Sequence, residues 1–131
     1  MDEFKIYYLV LFSFLALGAA VFITLQFMAA PYGRYASAKW GPLINNRLGW
    51  VIQEAPASVM MFFYFFISDR PSTIAAILLL VLWQSHYFHR AFIYPFSLRG
   101  NNPVPLATVL LAFLFNMVNS YIQGRWLFTL A

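Results

Sequence analysis

One acidic residue stands inside an otherwise apolar run. Glu54 falls within residues 48–67, with Gln53 beside it and Pro56 two positions on. A carboxyl group in such a setting is costly unless compensated, so it is either a functional group or a structural carboxylate that pairs with an arginine and holds the bundle together. On a helix, Trp50, Glu54, Ala57 and Met61 share one face. A second group, Trp83, Tyr87, Arg90 and Tyr94, also falls on one helical face, with His86 one position away and His89 facing elsewhere. An interfacial aromatic belt accounts for Trp83, Phe88 and Phe92. It accounts less well for two His, a Tyr and an Arg within the run 86–90. A third group is Asn116, Asn119 and Gln123, with Ser120 adjacent. Amides between membrane helices often act as packing glue, worth about 1 kcal/mol each. Lipid is a poor neighbour for three successive polar stripes, so the economical arrangement turns all three toward one enclosed cavity. His86, His89 and Glu54 resemble a metal ligand set only loosely. The chain has no other histidine and no cysteine, so no metal is expected.

The elements that carry these groups follow from composition. Of 131 residues, 63% are hydrophobic and 9% charged, and the chain has 15 Phe, 8 Tyr and 4 Trp. A soluble domain of this length would need far more polar surface, at roughly 25% charged residues. Four segments are long and apolar enough to cross a bilayer: about 6–28, 48–67, 72–94 and 105–127. The expected fold is therefore all-α, a polytopic transmembrane helix bundle with about four spans. The first segment is longer than a signal-sequence core, and Asp2 and Glu3 spoil a basic leader, so it is read as an uncleaved span.

The connections are short. Pro31-Tyr32-Gly33-Arg34-Tyr35 and Gly41-Pro42 punctuate the first loop, Ser68-Asp69-Arg70-Pro71 forms a tight turn, and Arg99-Gly100-Asn101-Asn102-Pro103 closes the third crossing. Ser72 or Thr73 is placed to cap the third helix. Such loops leave no room for a soluble catalytic domain, so any chemistry lies among the helices or at their ends. Arg34, Lys39, Arg47, Arg90 and Arg99 lie in or beside the first and third loops, against Lys5 and Arg70 on the other side. This asymmetry puts those loops in the cytoplasm and the amino-terminus on the non-cytoplasmic side. A net charge of +4, scattered along the chain, gives no footprint for nucleic acid.

Several motifs, in order, carry a resemblance. Ala30-Pro31-Tyr32-Gly33-Arg34-Tyr35 is followed by Gly49-Trp50-Val51-Ile52-Gln53-Glu54-Ala55-Pro56. Then come His86-Tyr87-Phe88-His89-Arg90-Ala91-Phe92-Ile93-Tyr94-Pro95-Phe96 and Asn119-Ser120-Tyr121-Ile122-Gln123-Gly124-Arg125. Together they resemble the amino-terminal half of the steroid 5-alpha-reductase family, over nearly all of the chain from Pro31 onward. Gln-Glu-x-Pro alone would be weak, but the combination is specific. Members of that family are about twice this long, with about seven spans. The resemblance therefore implies that residues 1–131 are the amino-terminal transmembrane, substrate-binding half, and that a carboxy-terminal NADPH-binding half lies outside this chain. It also implies an integral, multi-pass protein, of the inner membrane in a bacterium or of the endoplasmic reticulum in a eukaryote.

The resemblance implies reduction of the C4=C5 double bond of a 3-oxo-4-ene steroid, or a similar lipid-like enone, with NADPH as cofactor. Hydride added at C5 pushes charge onto the C3 oxygen, and a donor placed there stabilises it, the logic of an oxyanion hole. Tyr87 can give that hydrogen bond. Glu54, buried and expected to hold a proton, donates directly or orients Tyr87. Trp50 and Gln53 are placed to line the sterol pocket. Asn119, Arg99, Tyr94 and Tyr32 are, by resemblance, the cofactor contacts. Relatives in the same superfamily reduce enoyl-CoA or polyprenol lipids, while the pairing of Gln53-Glu54 with His86-Tyr87 looks more like the steroid branch. An alternative of another kind is a non-catalytic membrane module in which Glu54 and Arg90 are packing partners.

Overall fold

The structure, a computed structural model, describes residues 2–30, 35–68, 73–100 and 102–131. Tyr32, the topology markers Arg34 and Arg70, and Ser72 lie outside the described residues. The helices are α1 (Glu3–Leu25), α2 (Asn46–Phe66), α3 (Ile74–Phe88), α4 (Tyr94–Ser97) and α5 (Leu106–Arg125). A π-turn, His89–Ile93, joins α3 to α4, and a second, Trp126–Leu130, ends α5. Glu3–Leu25 and Leu106–Leu130 are long and apolar enough, by length and composition, to cross a membrane.

Local chemistry explains where the helices begin and end. α1 starts earlier than expected because Glu3, an acid in the first turn, suits the helix dipole and is held by Arg125 from α5. Its last expected residues run on as a hydrogen-bonded turn, with Phe27 N–H on the Thr24 carbonyl at 3.0 Å. Asn45 caps α2 by accepting from Leu48 N–H at 3.2 Å, and Thr73 caps α3 by accepting from Ala76 N–H at 3.1 Å. The third span is not one uniform helix. Pro95 has no N–H for the ladder, and just upstream the hydrogen bonding widens so that Tyr94 N–H reaches the His89 carbonyl. The bundle also contains one short antiparallel pair. Strand β1 (Leu43–Ile44) lies on β2 (Val104–Pro105), with Leu43 opposite Pro105. The pair ties the start of α2 to the start of α5. Gly41, ahead of Pro42, has φ +100°, a left-handed conformation that favours glycine.

Packing centres on α2. Met61, Tyr64, Ala76, Leu80 and Phe128 form a buried cluster, with Met61 fully enclosed. Polar clasps fix α3 against α2. Trp83 Nε1 donates to the Ala57 carbonyl at 2.9 Å. Ser58 Oγ donates to Gln84 Oε1 at 2.6 Å, and Gln84 Nε2 returns a bond to the Ser58 carbonyl at 2.9 Å. α5 approaches α2 closely at Gly124, where an added Cβ would lie 2.7 Å from Tyr64 Cδ2. α1 leans on α5 through Tyr7, whose hydroxyl donates to the Ile122 carbonyl at 3.1 Å, and through Phe14 against Phe115. The outward faces are apolar: Phe12, Leu15 and Phe22 on α1, Ile74, Leu78 and Leu82 on α3, and Leu111 and Leu114 on α5 are all exposed. Apolar surface of that extent marks contact with lipid or another apolar partner.

Candidate functional site

The site begins with the pairing of α2 and the π-turn. Arg90 Nε lies 2.9 Å from Glu54 Oε1. Glu54 is only 5% exposed, whereas the Arg90 side chain is 42% exposed. The same guanidinium sits 4.8 Å above the Trp50 ring, and Tyr94 meets Trp50 edge-on at 5.1 Å. Arg90 is thus held by an ion pair and by a ring face at once.

Two amides complete the surroundings of the carboxylate. Gln53 Nε2 stands 3.5 Å from Glu54 Oε1. Asn116 Nδ2, from α5, donates to Glu54 Oε2 at 3.4 Å and to the Gln53 carbonyl at 2.6 Å. All of these neighbours are donors, so Glu54 acts as an acceptor. The pairing with an arginine is also what the structural alternative required.

Tyr87 lies one layer further along α3. Its ring packs 4.6 Å from Trp83 and 4.9 Å from His86. Its hydroxyl lies near the Asn119 side chain and within electrostatic range of Glu54 and Arg90. Tyr87 and Asn119, expected to serve substrate and cofactor respectively, therefore stand together.

A cavity of about 530 Å³ opens beside the ion pair. Trp50, Gln53, Glu54, Arg90 and Tyr94 line one part of it, and Asn46, Leu98, Val104, Thr108 and Ala112 another. The volume falls within the roughly 300–1,000 Å³ usual for small-molecule sites. A second, more open cavity of about 330 Å³ is bordered by Ser85, His86, His89, Arg90 and Tyr94. Arg90 and Tyr94 border both.

The expected substrate residues Trp50, Gln53 and Glu54 thus share one wall, while Tyr87 is not part of it. Tyr94, expected to contact cofactor, lies on the same wall. Arg99 is exposed and borders neither cavity. Tyr32 lies outside the described residues. The amide stripe of α5 is only partly inward: Asn116 is buried and Asn119 half-buried, but Gln123 is exposed, so the three stripes do not close around one cavity. His86 and His89 border the second cavity without Glu54, and among the described residues no three His, Cys, Asp or Glu side chains converge.

Asn46, Thr108 and Ala112 escaped the sequence reading. They reach the cavity because the β1–β2 pair joins two helix starts far apart in the chain, and no periodicity announces such a pairing. A dinucleotide needs many donors for its phosphates. This chain offers Arg99 and, close by, Arg47, whose Nη2 donates to the Leu98 carbonyl at 3.4 Å. With Tyr94 and Asn119 these fit part of such a cofactor and no more.

Comparison with known proteins agrees with the motif resemblance. The chain is 34% identical over 115 residues to steroid 5-alpha-reductase DET2 of Arabidopsis thaliana, covering 83% of this chain and 44% of that protein. It is 34% identical over 129 residues to DET2 of Solanum lycopersicum, covering 95% of this chain and 50% of the relative. With 3-oxo-5-alpha-steroid 4-dehydrogenase 1 of Homo sapiens it shares 34% identity over 114 residues, 86% of this chain and 44% of the relative. The chain spans about half the length of the curated relatives it matches. No family model matches it. The resemblance to the steroid 5-alpha-reductase family therefore holds over most of this chain.

Proposed function

We propose that this chain, similar over most of its length to steroid 5-alpha-reductases, is the amino-terminal, substrate-binding half of a membrane-embedded reductase of that family. The reaction is reduction of the C4=C5 double bond of a 3-oxo-4-ene steroid. The observation that carries the reading is the shared wall of Trp50, Gln53 and Glu54, with Arg90 fixing the carboxylate and Tyr87 close behind.

On this reading the apolar body of the steroid lies along Trp50 and the neighbouring aliphatic side chains, and the C3 carbonyl is turned toward the polar end of the cavity. Hydride arrives at C5 and a proton at C4, and charge passes transiently onto the C3 oxygen. Tyr87, which stands just outside the shared wall, donates to a carbonyl that reaches past Glu54, the Glu54 charge acts on it through space, and Gln53 limits where the carbonyl sits. Such a donor acts because it is already aimed where charge develops. NADPH, when bound, supplies the hydride. Asn119, Arg99, Tyr94 and Tyr32 are the residues proposed to hold part of it, the other contacts coming from the carboxy-terminal half.

The proposed membrane arrangement has four crossings in this chain and seven in the whole protein. The 21 residues of α2 span about 30 Å at 1.5 Å per residue, and the helical path from Ile74 to Ser97 is unbroken. The basic asymmetry supports an amino-terminus on the non-cytoplasmic side. The bilayer and the carboxy-terminal half are the partners, in a bacterial inner membrane or the endoplasmic reticulum.

The Glu54–Arg90 ion pair favours a second reading, a packing module without catalysis. The two part in one assay. Full-length protein with NADPH and a 3-oxo-4-ene steroid should yield the 4,5-saturated ketone, with one NADPH consumed per product. An enone left intact by well-folded full-length protein would remove the steroid reading; turnover of an enoyl-CoA or polyprenol instead would move the function to those lipids.

A further inference from the structure

One polar contact beside Pro56 is left unused by the proposed chemistry. Pro56 stands inside α2, where a proline removes one backbone N–H and crowds the preceding turn. The carbonyl of Gln53 lies in that turn and accepts a side-chain bond from another helix, Asn116 Nδ2 at 2.6 Å. The same nitrogen stands 3.4 Å from Glu54 Oε2. An amide nitrogen carries two protons, and here both have an acceptor, one on the backbone and one on the carboxylate. The amide cannot be turned over without setting its oxygen against two other oxygens, so its orientation is fixed. Asn116 is 4% exposed, sealed from competing water.

We propose that Asn116 is a positioning residue for Glu54. It bridges the α2 backbone just ahead of Pro56 and the carboxylate next to it, so that the place of Glu54 is set from α5. Arg90 holds one oxygen of the carboxylate and Asn116 the other. Arg90 and Gln53 both reach Oε1, so removal of the amide leaves Oε2 without its donor and the group free to rotate about its ion pair. For catalysis this inference rests on the proposed reductase function, but the anchoring of Glu54 is a claim about the chain itself.

The test uses full-length protein in detergent and two readouts. Asn116→Leu keeps the branching at Cγ and removes both donors, and Asn116→Gln restores an amide. The first readout is the infrared carboxylate stretch of Glu54, assigned by its disappearance in Glu54→Gln. Asn116→Leu should shift or broaden this band and Asn116→Gln should move it part of the way back. The second is steroid reduction, where Asn116→Leu should lower kcat about tenfold to a hundredfold through misplacement of the site, with KM changed less than threefold. An unchanged Glu54 band in folded Asn116→Leu protein overturns the proposal. So does a shifted band with normal kcat in an active enzyme, which makes the amide a packing group only. A shifted band in full-length protein that reduces no enone at all upholds the anchoring and removes the reductase reading. Should Asn116→Leu not fold, Asn116→Ser, which can donate only one bond, takes its place: a shifted band with lowered kcat supports the anchoring, and an unchanged band overturns it.

Discussion

Arg90 meets Glu54 through Nε at 2.9 Å while its guanidinium lies over the ring of Trp50 at 4.8 Å. One side chain from the π-turn thus touches both the buried carboxylate and the aromatic wall of the larger cavity. The ion pair joins α2 to the third helical segment, and it does so on a cavity wall. Within this chain the arginine remains 42% exposed beside a buried carboxylate.

Arg90→Met should therefore cost stability by leaving Glu54 without its charged partner. The loss should be about 1–3 kcal/mol, the usual cost of a stranded buried polar group, because the arginine itself is only half covered. Adding Glu54→Gln removes the stranded charge, so the double variant should be less destabilised than Arg90→Met alone. Chemical denaturation in detergent reads all three variants. Equal or greater loss in the double variant would show that the ion pair does not govern the stability of this contact.

Gly124→Ala tests how tightly α2 and α5 are joined. The new Cβ would come 2.7 Å from Tyr64 Cδ2 and 2.9 Å from Tyr64 Cβ, and the second of these atoms cannot swing away. Overpacking of this kind costs about 1–3 kcal/mol. Tyr64→Leu does not remove the Cβ, so it should relieve the strain only in part. A Tm for Gly124→Ala equal to that of the parent would mean that the helices separate easily here.

The parts legible in the sequence were those with a local signal. Pro56 and Glu54 mark α2, Thr73 caps the start of α3, and of the two faces 50/54/57/61 and 83/87/90/94 the structure buries Glu54, Ala57 and Met61 and turns Trp83 and Arg90 to α2. What could not be read was set by contacts distant in sequence. The β1–β2 pair brings Asn46 and Thr108 to the cavity, and Asn116 gains its role from contacts with Gln53 and Glu54 on another helix. Gln123 shares the period of Asn116 and Asn119 but is exposed, because periodicity assigns a face and not what that face meets.

The proposed orientation makes a direct prediction. A reporter that is active only in the cytoplasm, inserted between Arg34 and Arg47, should be active, since Arg34, Lys39 and Arg47 put the first loop inside. The same reporter at the amino-terminus should be silent. Activity with the opposite pattern would invert the topology.

The sharpest division between catalysis and packing comes from Tyr87. Tyr87→Phe removes one hydroxyl and almost no volume, and the ring contacts with Trp83 and His86 persist. Its hydroxyl lies near Asn119, so a purely structural role predicts a small loss of stability and near-normal turnover. A donor to the C3 oxygen predicts the reverse, with a loss of about 10²–10³ in kcat, as for one oxyanion-hole donor. Glu54→Gln keeps the shape but cannot hold Arg90 as an ion pair. Reduction of the steroid should fall sharply in it too, and here some loss of Tm accompanies the loss of rate. Both variants are compared in full-length protein, by steroid turnover and by Tm in detergent. If both melt early and the folded fraction turns over at the parental rate, Glu54 and Tyr87 leave the active site and become part of the packing of α2 against α3.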